Sequence, residues 1–379
     1  MTSQPTATRL GPPAASATVF SRTPQVTDWV ARYFGPWWNA EAVDPDGQSL
    51  PHLSADVDPK LYEVIAGTVH HGPTPPGETL YAKAATHLTR DANGTVHAVS
   101  PDEGIAYQAD GDRVTIAGLS PQAVSLAACR IAREMVWGRL EGDGYTLLHT
   151  SAVTKDGKAL LTFGAKGAGK TTTALLLAGG RHLGLLSNDR VFARPEADGT
   201  VTILPWVAAA AVGLGLLDAL GWYSTVRQRL LDGEDLHPTQ DQRVTDALKA
   251  DQRTPLFETG KRREIKVQFF PDQLQRWFGL DLTDRATATA LLFPTLNPTA
   301  ATPALTEAHR GLNDEDVFTA ATEDRYPDLL GLRSRHHADG SANATRLRHA
   351  LASLPHHGAV LTHDVSASAD VLVKLADTL

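Results

Sequence analysis

A chain of 379 residues can hold one large domain and a smaller one, and its 42% hydrophobic fraction is ordinary for a globular protein in water. The net charge of −8, from 35 Lys and Arg against 43 Asp and Glu, argues against a general nucleic-acid binder. A single cysteine, Cys129, excludes an internal disulfide and fits a reducing compartment. The start Met1-Thr2-Ser3-Gln4-Pro5 does not read as a secretory signal, and the longest apolar run, Trp206–Leu217, is too short to span a bilayer. The expectation is a cytoplasmic protein with no membrane and no nucleic-acid partner.

Residues 1–25 are rich in Pro, Ala, Ser and Thr and read as a flexible tail. An accessory α+β region is expected over 26–140. Trp29, Tyr33, Phe34, Trp37 and Trp38 cluster around the breaker Gly35-Pro36, as core packing or as a binding surface. Short strands are predicted at Thr95–Val99, Ile105–Gln108 and Val114–Ala117, separated by turn residues. Ser120-Pro121 starts a helix whose apolar positions recur at helical spacing as far as about Leu140, where Gly142 and Gly144 end it.

A second region is expected over 141–379. It opens with a strand pair, Tyr145–Val153 and Lys158–Phe163, joined at the tight-turn dipeptide Asp156-Gly157. The second strand feeds into Gly164-Ala165-Lys166-Gly167-Ala168-Gly169-Lys170-Thr171-Thr172, which fits the Walker A pattern G-x4-G-K-[ST] between a strand and a helix. Glycines let such a loop curl until its N–H groups converge on a phosphate chain, and the following helix adds its positive end. Lys170 is then placed for the β- and γ-phosphates and Thr171 for Mg²⁺. Lys166 faces either the nucleotide or solvent.

Further along, Leu183–Leu186 reads as a strand beside Ala159–Phe163, ending in Ser187-Asn188-Asp189-Arg190. Asp189 then emerges at the carboxyl edge of the sheet and is either the candidate carboxylate opposite Lys170 or a loop aspartate in a turn. A hairpin is expected across Glu196–Thr200. The polar segment Ala219–Thr259 reads as partly helical and as a candidate lid. The cluster Lys261-Arg262-Arg263, with Lys266 beyond it, is either a solvated face or a second clamp on phosphate. Strands follow at Glu264–Phe270 and Ala288–Phe293, then helical patterns at Thr306–Leu312, Asp314–Ala320, Ser341–Leu354 and Ser366–Leu379.

The run from Tyr145 to Arg194 resembles the C-terminal domain of the HPr kinase/phosphorylase family. The matching positions are His149, Gly164 to Thr171, and Asp189 with Arg190. The resemblance implies an α/β P-loop core of the kind shared with phosphoenolpyruvate carboxykinases, behind the N-terminal α+β region. It implies ATP and Mg²⁺ as cofactors and phosphoryl transfer to a hydroxyl of a small molecule or peptide. The implied roles are catalysis for Asp189, His149 and Lys170, and Mg²⁺ ligation for Thr171 and Asp189. The family's acidic pair is Asn188-Asp189 here, and asparagine cannot act as a base. The region before Tyr145 does not match the bacterial HPr-modifying enzymes, so HPr is not the expected substrate. A nucleotide-dependent regulator with weak ATPase activity and a kinase for an amine acceptor are the competing readings, and a homo-oligomer is left open.

Overall fold

The computed structural model describes residues 4–47, 52–72, 75–180, 183–260, 263–297, 299–317, 327–336 and 340–378. It is a mixed α/β architecture with several sheets and helices, and it divides into two units. One is Met1–Tyr145 with Thr319–Gly340; the other is Thr146–Phe318 with Ser341–Leu379. Residues 327–336, expected with the second region, cluster with the first. Among the described residues, no helix is long and apolar enough to cross a membrane.

The first unit is built on a nine-stranded sheet in the order Glu41–Val43, Thr6–Leu10, Ala17–Ser21, His52–Val57, Arg113–Gly118, Ile105–Asp110, Val96–Ser100, Ala84–Arg90, Gly77–Tyr81. His52–Val57 runs parallel to both of its neighbours. The expected tail over 1–25 is thus corrected, because 6–10 and 17–21 are paired strands. Ala7, Ala15, Ala17 and Val19 are buried there, small enough for helices to pack closely over them. The helix Pro24–Trp38 carries Pro36 in its last turn instead of breaking at Gly35-Pro36, and it buries Tyr33, Phe34, Trp37 and Trp38 in the core. The helix Pro121–Gly142 starts where Ser120 Oγ accepts the Ala123 N–H at 3.3 Å. The helix Pro59–His71 packs Tyr62, Ile65 and Val69 against Val99, Ala106 and Ala117.

In the second unit the sheet runs Thr146–Leu148, Val191–Pro195, Val201–Pro205, Ala286–Leu296, Lys158–Thr162, Ser151–Lys155, Gly184–Ser187. Ala286–Leu296 is parallel to both Lys158–Thr162 and His356–Leu361. The turn at Asp156-Gly157 has φ of 50° and 77°, the doubly left-handed conformation that suits a two-residue hairpin. The hairpin across Glu196–Thr200 forms between Val191–Pro195 and Val201–Pro205. Leu161, Phe163, Leu186, Leu291 and Phe293 form the core, and Leu347 and Leu351 of the helix Gly340–Ala352 pack against them.

Several expected elements differ. Tyr145–Val153 is not one strand. It breaks at His149-Thr150, with Thr146–Leu148 at one end of the strand path and Ser151–Lys155 next to the other end. Those two strands sit five steps apart, about 24 Å in a flat sheet. The three peptide units from Leu148 to Ser151 reach only about 11 Å. The sheet must therefore curl, bringing its end strands toward each other. Gly184–Ser187 pairs with Ser151–Lys155 rather than with 159–163. It still points the same way as Lys158–Thr162, because two antiparallel pairings intervene. The expected helix at Thr306–Leu312 is instead the strand Ala304–Glu307, drawn out by pairing with His356–Leu361. Asp314–Asp316 is a 3-10 turn, and Phe318–Ala320 lie outside the described residues. The segment Ala219–Thr259 contains the helices Tyr223–Leu231 and Gln242–Lys249.

Candidate functional site

The loop of Gly164 to Gly169 leaves the carboxyl end of Lys158–Thr162 and enters the helix Lys170–Gly180. Two of its glycines are required by backbone conformation: Gly167 has φ 88° and Gly169 φ 103°. Gly164 is required by space, since a Cβ there would lie 2.7 Å from Ala168 Cβ. The Ala168 N–H donates to Ala165 O at 3.1 Å and closes the turn. Ala165, Lys166 and Gly167 are exposed, whereas Thr171 and Thr172 are half-buried at the helix start.

Lys170 is 8% exposed, and its Nζ donates to Gly164 O at 2.6 Å. Burial pulls its ammonium below the usual lysine range; the carboxylates of Asp189 and Asp316 work against this, and the charges of Arg310 and Lys266 work with it. Ser151 Oγ donates to Lys170 O at 2.9 Å, tying the helix start to the adjacent strand. Thr171 Oγ1 donates to Asn188 O at 3.4 Å, so the helix start also meets the segment that carries Asp189.

Asp189 follows Gly184–Ser187 at the same edge of the sheet. Its Oδ1 lies 3.5 Å from His149 Nε2, and its Oδ2 lies 3.5 Å from Arg190 Nε. Burial would raise its carboxyl, but His149, Arg190 and Lys170 outweigh it and hold the group at about 2. The side chain is 43% exposed and that of His149 39%, so an incoming molecule can reach both. The structure thus brings together His149, Lys170, Thr171, Asp189 and Arg190.

The basic cluster is less informative. Lys261 and Arg262 lie outside the described residues. Arg263 is 45% exposed and pairs with Glu258 at 3.4 Å, as a solvated charge does. Lys266 adds positive potential at Lys170.

Two residues here have no motif in the sequence. Asp316 is buried and takes a two-pronged contact from Arg310, Nη1–Oδ2 at 2.6 Å and Nη2–Oδ1 at 2.9 Å. Its main-chain carbonyl accepts the His149 N–H at 2.9 Å, and Val317 bridges Leu148. The guanidinium of Arg310 lies 4.8 Å over the Phe293 ring. No local pattern in His309-Arg310-Gly311-Leu312-Asn313 predicts this.

Among the described residues, no group of three or more His, Cys, Asp and Glu could hold a metal. Mg²⁺ at phosphate sites needs fewer protein ligands, one or two oxygens beside phosphate and water. The Thr171 hydroxyl and the ionised Asp189 carboxylate are donors of that kind. No protein-family model matches this sequence, and no curated protein matches it either.

Proposed function

We propose that this protein is an ATP- and Mg²⁺-dependent kinase with an HPr kinase/phosphoenolpyruvate carboxykinase-like core, which phosphorylates a hydroxyl of a small molecule or peptide. One observation carries the reading. The buried Lys170 ammonium, behind a glycine-bent loop at a helix start, shares a sheet edge with the ionised, half-exposed Asp189.

Bound Mg·ATP supplies the γ-phosphoryl group and screens its charge. The N–H groups of Gly164 to Thr172 and the positive end of the helix orient the phosphate chain. Lys170 balances charge developing on the transferred group. Asp189 accepts the acceptor's O–H as a hydrogen bond and takes its proton as the new P–O bond forms and the bond to the leaving ADP oxygen breaks. A carboxyl held at about 2 is a weak base, so orienting the hydroxyl is the larger part of its work. His149 fixes the carboxylate from the other side.

Incubation with γ-labelled ATP and hydroxyl compounds tests this: a labelled acceptor is expected. Asn188 favours one other reading, a nucleotide-dependent regulator, because the motif carries one carboxylate and Asn188 meets Thr171 through its main chain. Slow phosphate release without any labelled acceptor is the outcome that favours the regulator.

A further inference from the structure

Arg310 has more donors than its structural contacts use. A guanidinium carries five N–H groups. Asp316 takes one from Nη1 and one from Nη2, and Gly311 O takes the second from Nη1 at 2.8 Å. Among the described residues, two remain without a partner, Nε–H and the second Nη2–H. They run parallel along one edge of the group, the fork that matches a carboxylate or a phosphate.

This fork is held in place in advance. Asp316 is only 4% exposed at its side chain and grips the opposite edge, and the Asn313 N–H donates to the same carboxylate at 2.9 Å. The Phe293 ring supports the flat face. The Arg310 side chain keeps 24% exposure. It is also placed beside the candidate chemistry. The residue it grips accepts the His149 N–H, His149 touches Asp189, and the charge of Arg310 is felt at Lys170. Around Lys170 and Asp189, the cations Lys170, Arg190, Lys266 and Arg310 outnumber the carboxylates Asp189 and Asp316, in a chain whose net charge is −8.

We infer that the hydroxyl acceptor carries an anionic group, a carboxylate or a phosphate, and that the free edge of Arg310 binds it while Asp189 holds the hydroxyl. The inference rests on the kinase reading and adds the chemical class of its acceptor. Arg310 is a recognition residue here. Asp316 acts through it, as a positioning residue.

The test uses the full chain with γ-labelled ATP and three pools of short serine- and threonine-containing peptides. One pool has free carboxyl ends, one has amide ends, and one has amide ends with a phosphoserine beside the acceptor. Wild type should use one of the two anionic pools at least 10-fold better than the neutral pool in kcat/KM. Which pool it is tells carboxylate from phosphate. Arg310→Gln should lower kcat/KM on that pool by about 10- to 100-fold more than on the neutral pool, mainly through KM. Arg310→Lys, which keeps the charge without the fork, should fall between. A purely structural Arg310 predicts equal losses on all pools, and that result overturns the inference, as does a wild type without preference for an anionic pool. Mg·ATP affinity of the same samples is measured by calorimetry. Failure to bind Mg·ATP sinks the kinase reading itself, whereas normal binding without anion selectivity sinks only the role of Arg310.

Discussion

His149 Nε2 and Asp189 Oδ1 lie 3.5 Å apart, although the strands that precede them stand at opposite ends of the strand path. The curl of the sheet closes that distance. The carboxylate is therefore lowered by a neighbour forty positions away in the chain as well as by Arg190 beside it.

Removing the ring should expose that dependence. In His149→Ala, Asp189 keeps Arg190 and Lys170 but loses its hydrogen-bond partner, so its carboxyl should rise from about 2 toward the ordinary aspartate range. Carbon-13 NMR titration of the aspartate carboxylates in both proteins reads this directly. An unchanged Asp189 titration shows that the His149 contact does not matter in solution.

If the loop from Gly164 to Thr172 binds phosphate, Mg·ATP should stabilise the fold, because those contacts would exist only in the folded chain. At a hundred times the dissociation constant the gain is roughly 2.7 kcal/mol. Lys170→Ala should remove most of it. Thermal melts of both proteins with and without Mg·ATP check this, and equal shifts in the two count against a phosphate site here.

A separate pH dependence belongs to Glu134 in the first unit. Burial raises its carboxyl to about 7; the hydrogen bond from Tyr81 and the charges of Arg333 and Arg130 pull the other way, while Asp328 adds to the rise. Tyr81 Oη donates to its Oε1 at 2.7 Å. The folded protein thus keeps this proton up to about 7, whereas an unfolded chain loses it near 4.5. Stability is fully present below 4.5 and falls as pH rises from 4.5 to 7, by at most about 1.4 kcal/mol per pH unit, then levels off. Glu134→Gln keeps an acceptor for Tyr81 and carries no charge, so its melting temperature should lack this fall. Identical pH slopes for the two proteins between 5 and 7 exclude Glu134 as their source.

The phosphate-loop candidate was legible in the sequence because its demands are local. Left-handed torsions at Gly167 and Gly169 and the tight space at Gly164 confine those positions to glycine. The place of Asp189 after a strand was legible from the apolar run Leu183–Leu186, though not the partner of that strand. Arg310 and Asp316 were not. Their pairing spans six residues without periodicity, and its placement depends on the distant N–H of His149. The first strands carry few large apolar residues to mark them in the sequence, and the helices packed over Ala7 and Ala17 give them a core to face. Thr306 reads as helical in isolation and is a strand because His356–Leu361 lies beside it.

Asp189→Asn separates the two tasks open to this carboxylate. The amide keeps the shape and removes the charge and the basic lone pairs. If Asp189 orients and deprotonates the acceptor, turnover should fall by about 10²- to 10⁴-fold while Mg·ATP affinity is largely kept. If it chiefly holds Mg²⁺, affinity should fall too, and most steeply at low Mg²⁺. Because the preceding residue is Asn188, the variant has no carboxylate left in this motif, so residual turnover cannot be assigned to a neighbour. Arg190 and His149 would lose their anionic partner, which makes the site more positive and tends to tighten nucleotide binding without Mg²⁺. Titrations of ATP at several Mg²⁺ concentrations, beside turnover on the acceptor found by labelling, distinguish these outcomes. A variant with full turnover and an unchanged Mg²⁺ dependence makes Asp189 a turn residue and moves the search for the acceptor base elsewhere in the second unit.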